Sequence, residues 1–302
     1  ERDARKNMVI LAIVVGMILL VGLAIFILNR LRITRRQKSI IESQKLIVEE
    51  KNKEILDSIQ YAKRLQSAIL PSMKTVSENL PESFVYYAPK DIVAGDFYWM
   101  EKVDNTVYLA AADCTGHGVP GAMVSVVCSN ALTKALIEEN RTKPGEILDR
   151  ARELVIERFD KSEEVVKDGM DISLVAIQTD SGKADWAGAN NPLWIIRANQ
   201  DSVEEIKADK QPIGFHSEMK SFINHEVQLN KGDSIYLFSD GFSDQVGGAK
   251  GKKYKSSNFK KLLISIADKS MRSQLASLDS SFEKWRGELE QIDDVCVIGV
   301  RI

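Results

Sequence analysis

The chain has 302 residues, with 41 Lys and Arg against 43 Asp and Glu and a formal net charge of -2. That near balance gives no overall pull toward nucleic acid or an anionic membrane surface. Its three cysteines, Cys114, Cys128 and Cys296, are odd in number and show no Cys-x-x-Cys spacing. Neither a disulfide scaffold nor a cysteine-rich zinc site fits, and the composition suits a reducing compartment.

The chain opens at Glu1 rather than at a methionine and reaches an apolar run within a few residues. It therefore reads as a piece of a longer protein, the missing part lying across a membrane. Residues 1–7 are a mixed-charge flank. Residues 8–29 read as a transmembrane helix: Met8 to Leu28 carries no charge, and at about 1.5 Å rise per residue that run spans a hydrocarbon core about 30 Å thick. Arg30, Arg32, Arg35, Arg36 and Lys38 follow at once. Positive flanks stay on the cytoplasmic side, so the sequence predicts a single pass through the inner (cytoplasmic) membrane with the rest of the chain inside.

Residues 30–70 read as a basic juxtamembrane segment and a linker helix, with no Gly or Pro in 37–70. Ile41, Val48, Ile55, Ala62 and Ile69 recur every seven residues, which suggests a coiled-coil seam and a homodimer. Gln44, Lys51, Asn52 and Ser58 weaken that seam, so a single amphipathic helix packing on its own domain stays equally open. From Ile59 to Leu70 the denser apolar pattern predicts docking onto the globular part, and Pro71 ends the helix.

Residues 71–302 read as one globular domain. Strands are expected at Phe84–Tyr87, Gly95–Met100, Thr106–Ala112, Asp171–Thr179, Lys183–Ala189, Leu193–Ala198, Ser221–Gln228, Asp233–Ser239 and Asp294–Val300. Helices are expected at Val119–Asn140, Pro144–Phe159, Lys260–Ala267 and Asp279–Leu289. Helices gathered between blocks of hairpins do not form a βαβ alternation; they predict antiparallel sheets covered by helices.

Asp96, Asp113, Asp240 and Asp293 each stand at the end of an expected strand. Carboxylates so placed suit hard cations such as Mg²⁺ or Mn²⁺, and two such ions can activate water and clamp a phosphoryl oxygen. Taken singly, each Asp is more often an ordinary turn residue than a ligand. Gly116, Gly118 and Gly121 bracket His117 before a long helix, without the lysine of a nucleotide-binding loop. With His216 and His225, His117 shows no zinc-ligand spacing. The tight basic run at the membrane edge lacks interleaved aromatic residues, so no nucleic-acid partner is expected.

From about Tyr61 to Ile302 the chain resembles the SpoIIE-type branch of the metal-dependent, protein phosphatase 2C-like (PPM) enzymes. The stretches that carry the likeness are KDIVAGDFYW (90–99), ADCTGHGVPGAM (112–123), GANNPLWIIR (188–197), QPIGF (211–215), SDGFSDQ (239–245) and DDVCVIGV (293–300), in that order. Ala94 departs slightly, standing where relatives often carry glycine or serine. The resemblance implies an α+β fold, a four-layer α/β/β/α sandwich with two antiparallel sheets flanked by helices. It implies two Mn²⁺ or Mg²⁺ ions held by Asp96, Asp113, Asp240, Asp293 and the Cys114 carbonyl, with Asp171 assisting a further labile ion. Asp293 is preferred to Asp294 as the ligand. The implied reaction is hydrolysis of a phosphoserine or phosphothreonine monoester by a metal-activated water. His117 would either protonate the leaving group or hold the metal turn by hydrogen bonding. Asn190 and Asn191 are expected to shape a turn, and Trp99, Trp186 and Trp194 to lie in the core. The implied partner is a phosphorylated protein, with STAS-type anti-sigma-factor antagonists as candidates, in bacterial partner-switching signalling. A catalytically inactive phosphatase-fold scaffold is the alternative.

Overall fold

The computed structural model describes residues 1–160 and 168–302. The chain divides into two compact units, Glu1–Ser58 and Ile59–Ile302. The first lies wholly within helix α1 (Arg2–Ile69), apart from Glu1. Its apolar side chains are exposed, Leu19 and Leu20 by about two thirds. Among the described residues two helical stretches are long and apolar enough to cross a membrane. One is in Arg2–Asn79, with mean hydropathy 3.2 and none of its apolar window buried. The other is Gly118–Glu138, with mean hydropathy 1.3 and 56% of its window buried. The buried one serves a core, so the N-terminal stretch is the membrane candidate.

The second unit is the four-layer sandwich. One sheet orders β1 (Ser83–Ala88), β12 (Val295–Arg301), β9 (Ser234–Phe238), β6 (Leu193–Ile196) and β7 (Glu204–Ile206). The other orders β2 (Phe97–Val103), β3 (Thr106–Cys114), β4 (Met170–Gln178), β5 (Lys183–Ala189) and β8 (His225–Gln228). Every pairing within them is antiparallel. Helices α3 (Gly118–Thr133) and α4 (Pro144–Phe159) cover the second sheet, packing Val124, Cys128, Ile147 and Val155 against Tyr108, Ala110 and Leu174. Helices α6 (Ser256–Ile266) and α7 (Met271–Arg286) cover the first, packing Phe259, Leu263 and Phe282 against Tyr236 and Val297. Between the sheets, Leu109, Val175, Trp186, Leu237 and Ile298 form the central core.

Strand parity sets these layers. Side chains alternate across a strand, and in β3 Tyr108, Ala110 and Ala112 face the helices while Val107, Leu109 and Ala111 face the other sheet. Trp99, Trp186 and Trp194 are all buried. Trp99 Nε1 donates to Thr133 and Trp186 Nε1 to Ser173 Oγ.

Several expected boundaries shift for local reasons. The strand expected from Ser221 begins only at His225, because the Phe222 and Ile223 amides donate to the Asp149 and Asp209 carboxylates instead of a ladder. The helix expected at Asp279–Leu289 runs Met271–Arg286: Ser270 caps its start and Gly287, at φ 58°, ends it. The helix expected to reach Asn140 is α-helical to Thr133 and finishes in a π-helical turn, Lys134–Glu138. The helix expected from Lys260 starts earlier, at Ser256. Four short elements carried too little pattern to be anticipated: α2 (Met73–Asn79), β7, α5 (Gly241–Asp244) and the hairpin of β10 (Val246–Gly247) with β11 (Lys252–Lys253).

Candidate metal centre

The parity that builds the central core also aims the carboxylates. Asp113 follows Leu109 and Ala111 on the face of β3 turned to the other sheet. Asp171 is its direct cross-strand partner on β4. Asp96 lies one residue before β2, in phase with Tyr98 and Met100 of the central core. From the facing sheet, Ser239 follows Leu237 of β9, and Asp294 precedes β12 in phase with Cys296 and Ile298. All five side chains therefore meet the seam between the sheets at one end. Asp240 and Asp293 stand beside them in the connecting segments.

Hydrogen bonds hold this end together across the seam. Ser239 Oγ donates to the buried Asp96 carboxylate and accepts the Cys296 amide at 3.0 Å. Asp294, only 2% exposed, accepts the Lys90 and Gly95 amides, each at 2.7 Å. It thereby organises the loop that leads into Asp96. Asp293 accepts the Asp294 amide at 2.9 Å. Asn190, at φ 58°, donates to Asp171 at 2.8 Å, so this turn residue also orients a carboxylate of the cleft.

The glycines close the backbone around the cleft. A Cβ on Gly121 would run into the Gly116 carbonyl and crowd the Gly95 Cα, and one on Gly95 would strike the same carbonyl. These three meet backbone to backbone, and Gly116 at φ 82° turns the chain into α3.

Like charges crowded in a seam resist ionisation. Burial, then the charges of Asp113, Asp294 and Asp293, holds the Asp96 carboxyl well above the usual range, against the Ser239 hydrogen bond. Burial, then Asp240, Asp293 and Asp171, pushes Asp113 up to about 8. Burial, then Asp244, Asp293 and Asp171, pushes Asp240 up to about 6, opposed by Lys253. Burial raises Asp171 too, opposed by Asn190 and Lys210. The donors are hard carboxylate oxygens with an excess of negative charge, which is the chemistry a divalent cation relieves. Their arrangement is open, however: among the described residues, no group of three or more His, Cys, Asp or Glu side chains is set to hold a metal ion. Donor type fits Mg²⁺ or Mn²⁺, while the spacing of the side chains is not that of a closed site.

The remaining expected residues fall around the cleft. The Cys114 thiol turns away, into the core with Cys128, and burial drives its pKa well up, so it has no nucleophilic character. His117 is exposed, its Nδ1 3.1 Å from Asp91 Oδ2. Asp91 was not singled out in the sequence, although it lies inside the first motif. Gln66 was missed as well. It is 5% exposed on α1, and its side-chain amide donates to the Ala94 carbonyl (2.6 Å) and Ser125 Oγ (3.0 Å) while accepting the Ala94 amide (3.1 Å). The end of the linker helix thus grips the residue two before Asp96.

A pocket of about 150 Å³ opens here between Asp113, Asp171 and the Pro212–Gly214 turn. A larger groove of about 550 Å³ beside Arg197 and Arg301 has no such convergence, and both arginines are engaged, Arg197 by Glu204 and Asp233 and Arg301 by the Ala267 and Lys269 carbonyls.

Two facing antiparallel sheets, flanking helices and a carboxylate-lined cleft at the sheet ends define a PP2C-like phosphatase fold. The profile of the family described as stage II sporulation protein E (SpoIIE) matches residues 103–302, and the chain belongs to that family. Phosphoserine phosphatase RsbU of Bacillus subtilis (strain 168) is 24% identical over 194 residues, 63% of this chain and 55% of that protein. The chain thus spans about half the length of this curated relative. Among solved structures, the SiaA-PP2C domain of Pseudomonas aeruginosa is 30% identical with a TM-score of 0.75, covering 83% of this chain and 98% of that one. The PP2C phosphatase domain of SpoIIE from Bacillus subtilis, solved with a fragment of its regulatory domain, is 21% identical with a TM-score of 0.59, over 73% of this chain and 61% of that one. At that identity the likeness shows the fold.

Proposed function

We propose that this chain is the PP2C-like output end of a membrane-anchored signalling protein, and that its carboxylate cleft is a divalent-cation site for hydrolysing phosphoserine or phosphothreonine on a protein. One observation carries the reading: strand parity brings Asp96, Asp113 and Asp171 from one sheet to the same seam as Ser239 and Asp294 from the other. Asp96, Asp113, Asp240 and Asp293, with the Cys114 carbonyl, would hold two Mn²⁺ or Mg²⁺ ions, and Asp171, oriented by Asn190, a labile third. Bound divalent ions supply neutralisation of phosphoryl oxygens and a water acidic enough to attack at neutral pH. The chain's own residues do the rest. Asp294 and Ser239 fix the backbone before Asp96 and its carboxylate, Gly95 and Gly121 let the backbone close in, and His117, paired with Asp91, would donate a proton to a departing serine oxygen.

The apolar N-terminal stretch, with five basic residues after it, supports a single-pass anchor in the cytoplasmic membrane with the second unit inside. Ile41, Val48 and Ile55 are more than half exposed, which supports a dimer seam along the linker, while Gln66 offers a path from that helix to the Ala94–Asp96 turn. Repositioning Gln66 would disturb the first metal motif. The name of RsbU, a phosphoserine phosphatase, supports a phosphoserine substrate; on our reading that substrate is a phosphoprotein of the partner-switching kind, such as a STAS-type antagonist.

A second reading is that the fold signals by binding alone. The open spacing of the carboxylates favours it as the side chains stand. Phosphate release from a phosphoserine peptide by the full chain in nanodiscs, titrated with Mn²⁺ beside Asp113→Asn, separates the two. Metal-dependent release that the substitution abolishes supports hydrolysis. Peptide binding without release supports the scaffold.

A further inference from the structure

A phosphate monoester carries close to two negative charges at neutral pH, and the cleft it must enter is itself acidic. Bound cations offset part of that repulsion. The chain's own positive charges at the mouth decide how the rest is met. Lys253 acts on Asp240, but its ammonium is already engaged by Asp244 at 2.6 Å. Lys210 lies on the other side, close enough for its charge to act on Asp171. It is exposed, and among the described residues no hydrogen bond or ion pair engages its side chain.

The backbone that carries Lys210 is pinned on both sides. Before it, Asp209 bridges to Ala189, donates its amide to the Gly188 carbonyl, and accepts the Ile223 amide on its carboxylate at 2.8 Å. After it, the buried Gln211 side chain exchanges hydrogen bonds with both backbone groups of Lys220, and Arg152 donates to Gln211 and to the Lys220 carbonyl. Two residues further on, Pro212 enters the wall of the pocket that contains Asp113 and Asp171, and Ile213 is bridged to Met170. A lysine is ordinarily a mobile point charge on a flexible stem. Here the stem springs from a fixed base two residues before Pro212 of the pocket wall, which brings the cleft within reach of its ammonium.

We propose that Lys210 is a phosphate-binding residue, which pairs with the non-reacting oxygens of the substrate phosphoryl group as it enters between Asp171 and the Pro212–Gly214 turn. This rests on the reading of the cleft as a phosphomonoester site, and it adds a ligand for the substrate where the side chains proposed for the metals are all acidic. Arg152 and Gln211 are positioning residues for it, acting through the loop.

The test is isothermal titration of inorganic phosphate into the Mn²⁺-loaded full chain in nanodiscs, for the wild type, Lys210→Met and Lys210→Arg. The expected result is phosphate affinity lowered about tenfold or more in Lys210→Met and largely kept in Lys210→Arg, with Mn²⁺ affinity not weakened in either. With a phosphoserine peptide, Lys210→Met should raise KM by a similar factor at nearly unchanged kcat. Equal phosphate affinity in the wild type and Lys210→Met overturns the proposal, as does a wild type that binds no phosphate. A change in Mn²⁺ affinity alone also overturns it, because Lys210 would then only tune Asp171. If the wild type binds phosphate in a Lys210-dependent way but hydrolyses nothing, this inference stands and hydrolysis does not.

Discussion

The two sheets deliver their carboxylates by different means. The β2–β3–β4 sheet sets Asp96, Asp113 and Asp171 in or directly beside its strands, where register fixes them and Asp113 faces Asp171 across the ladder. The β9–β12 side sets Asp240 and Asp293 in connecting segments, placed through Ser239 and Asp294 and their hydrogen bonds to backbone. One half of the cleft is built into the sheet, and the other hangs from side-chain contacts. The contrast accompanies a seam that, among the described residues, gathers acids without closing into a cage.

The strand-borne half is most sensitive at Asp113, which feels Asp240, Asp293 and Asp171. Asp113→Asn should abolish Mn²⁺ binding and any turnover, a larger loss than the roughly 10- to 100-fold typical for partners behind a ligand. Asp294→Asn should fall in that 10- to 100-fold range in Mn²⁺ affinity, because it loosens the Lys90–Gly95 loop while leaving the donor set intact; titration calorimetry checks both.

Gln66→Leu tests the link from the linker helix. It leaves the Ala94 amide and carbonyl without their partner, at a cost of about 1–3 kcal/mol, and thermal melting should read a fall of several degrees. Mn²⁺ affinity should drop with it if the Ala94–Asp96 turn shifts. Unchanged affinity would confine Gln66 to stability.

The smallest effect is pH-dependent. The folded-state pKa of Asp113, about 8, and of Asp240, about 6, lie above the ordinary 3.8. The metal-free fold therefore binds these protons more tightly than the unfolded chain does. Its stability is full below about pH 4 as far as these groups go, and declines as pH rises through about 4 to 8. Thermal melts of the metal-free chain should move down across that window, and Asp113→Asn should flatten the upper part of the slope. Added Mn²⁺ should reverse the trend.

Much of this was legible in sequence. The alternation of Val107, Leu109 and Ala111 against Tyr108, Ala110 and Ala112 marks a strand buried on both faces, and continuing it by one step aims Asp113 at the facing sheet. Gly116, Gly118 and Gly121 stand out around His117, but nothing local shows that Gly116 and Gly121 meet Gly95 backbone to backbone. What stayed hidden depends on contacts far apart in the chain. In sequence Gln66 is one more polar residue on a helix; packing pairs it with Ala94, 28 positions along the chain. Asp91 lay inside a motif but paired with His117 only through the fold. The strand expected at Ser221 failed because Asp149 and Asp209 claim its amides, which no local pattern reveals.

Proton release on metal binding reads directly whether the seam carboxylates form a cation site. Mn²⁺ titrated into the full chain at pH 7, in buffers of different ionisation enthalpy, counts the protons displaced. With Asp113 at about 8 and Asp96 held well above the usual range, at least one proton should leave for each chain loaded, and Asp113→Asn should remove that release. Mn²⁺ binding without proton release, or no binding at all, would contradict the account.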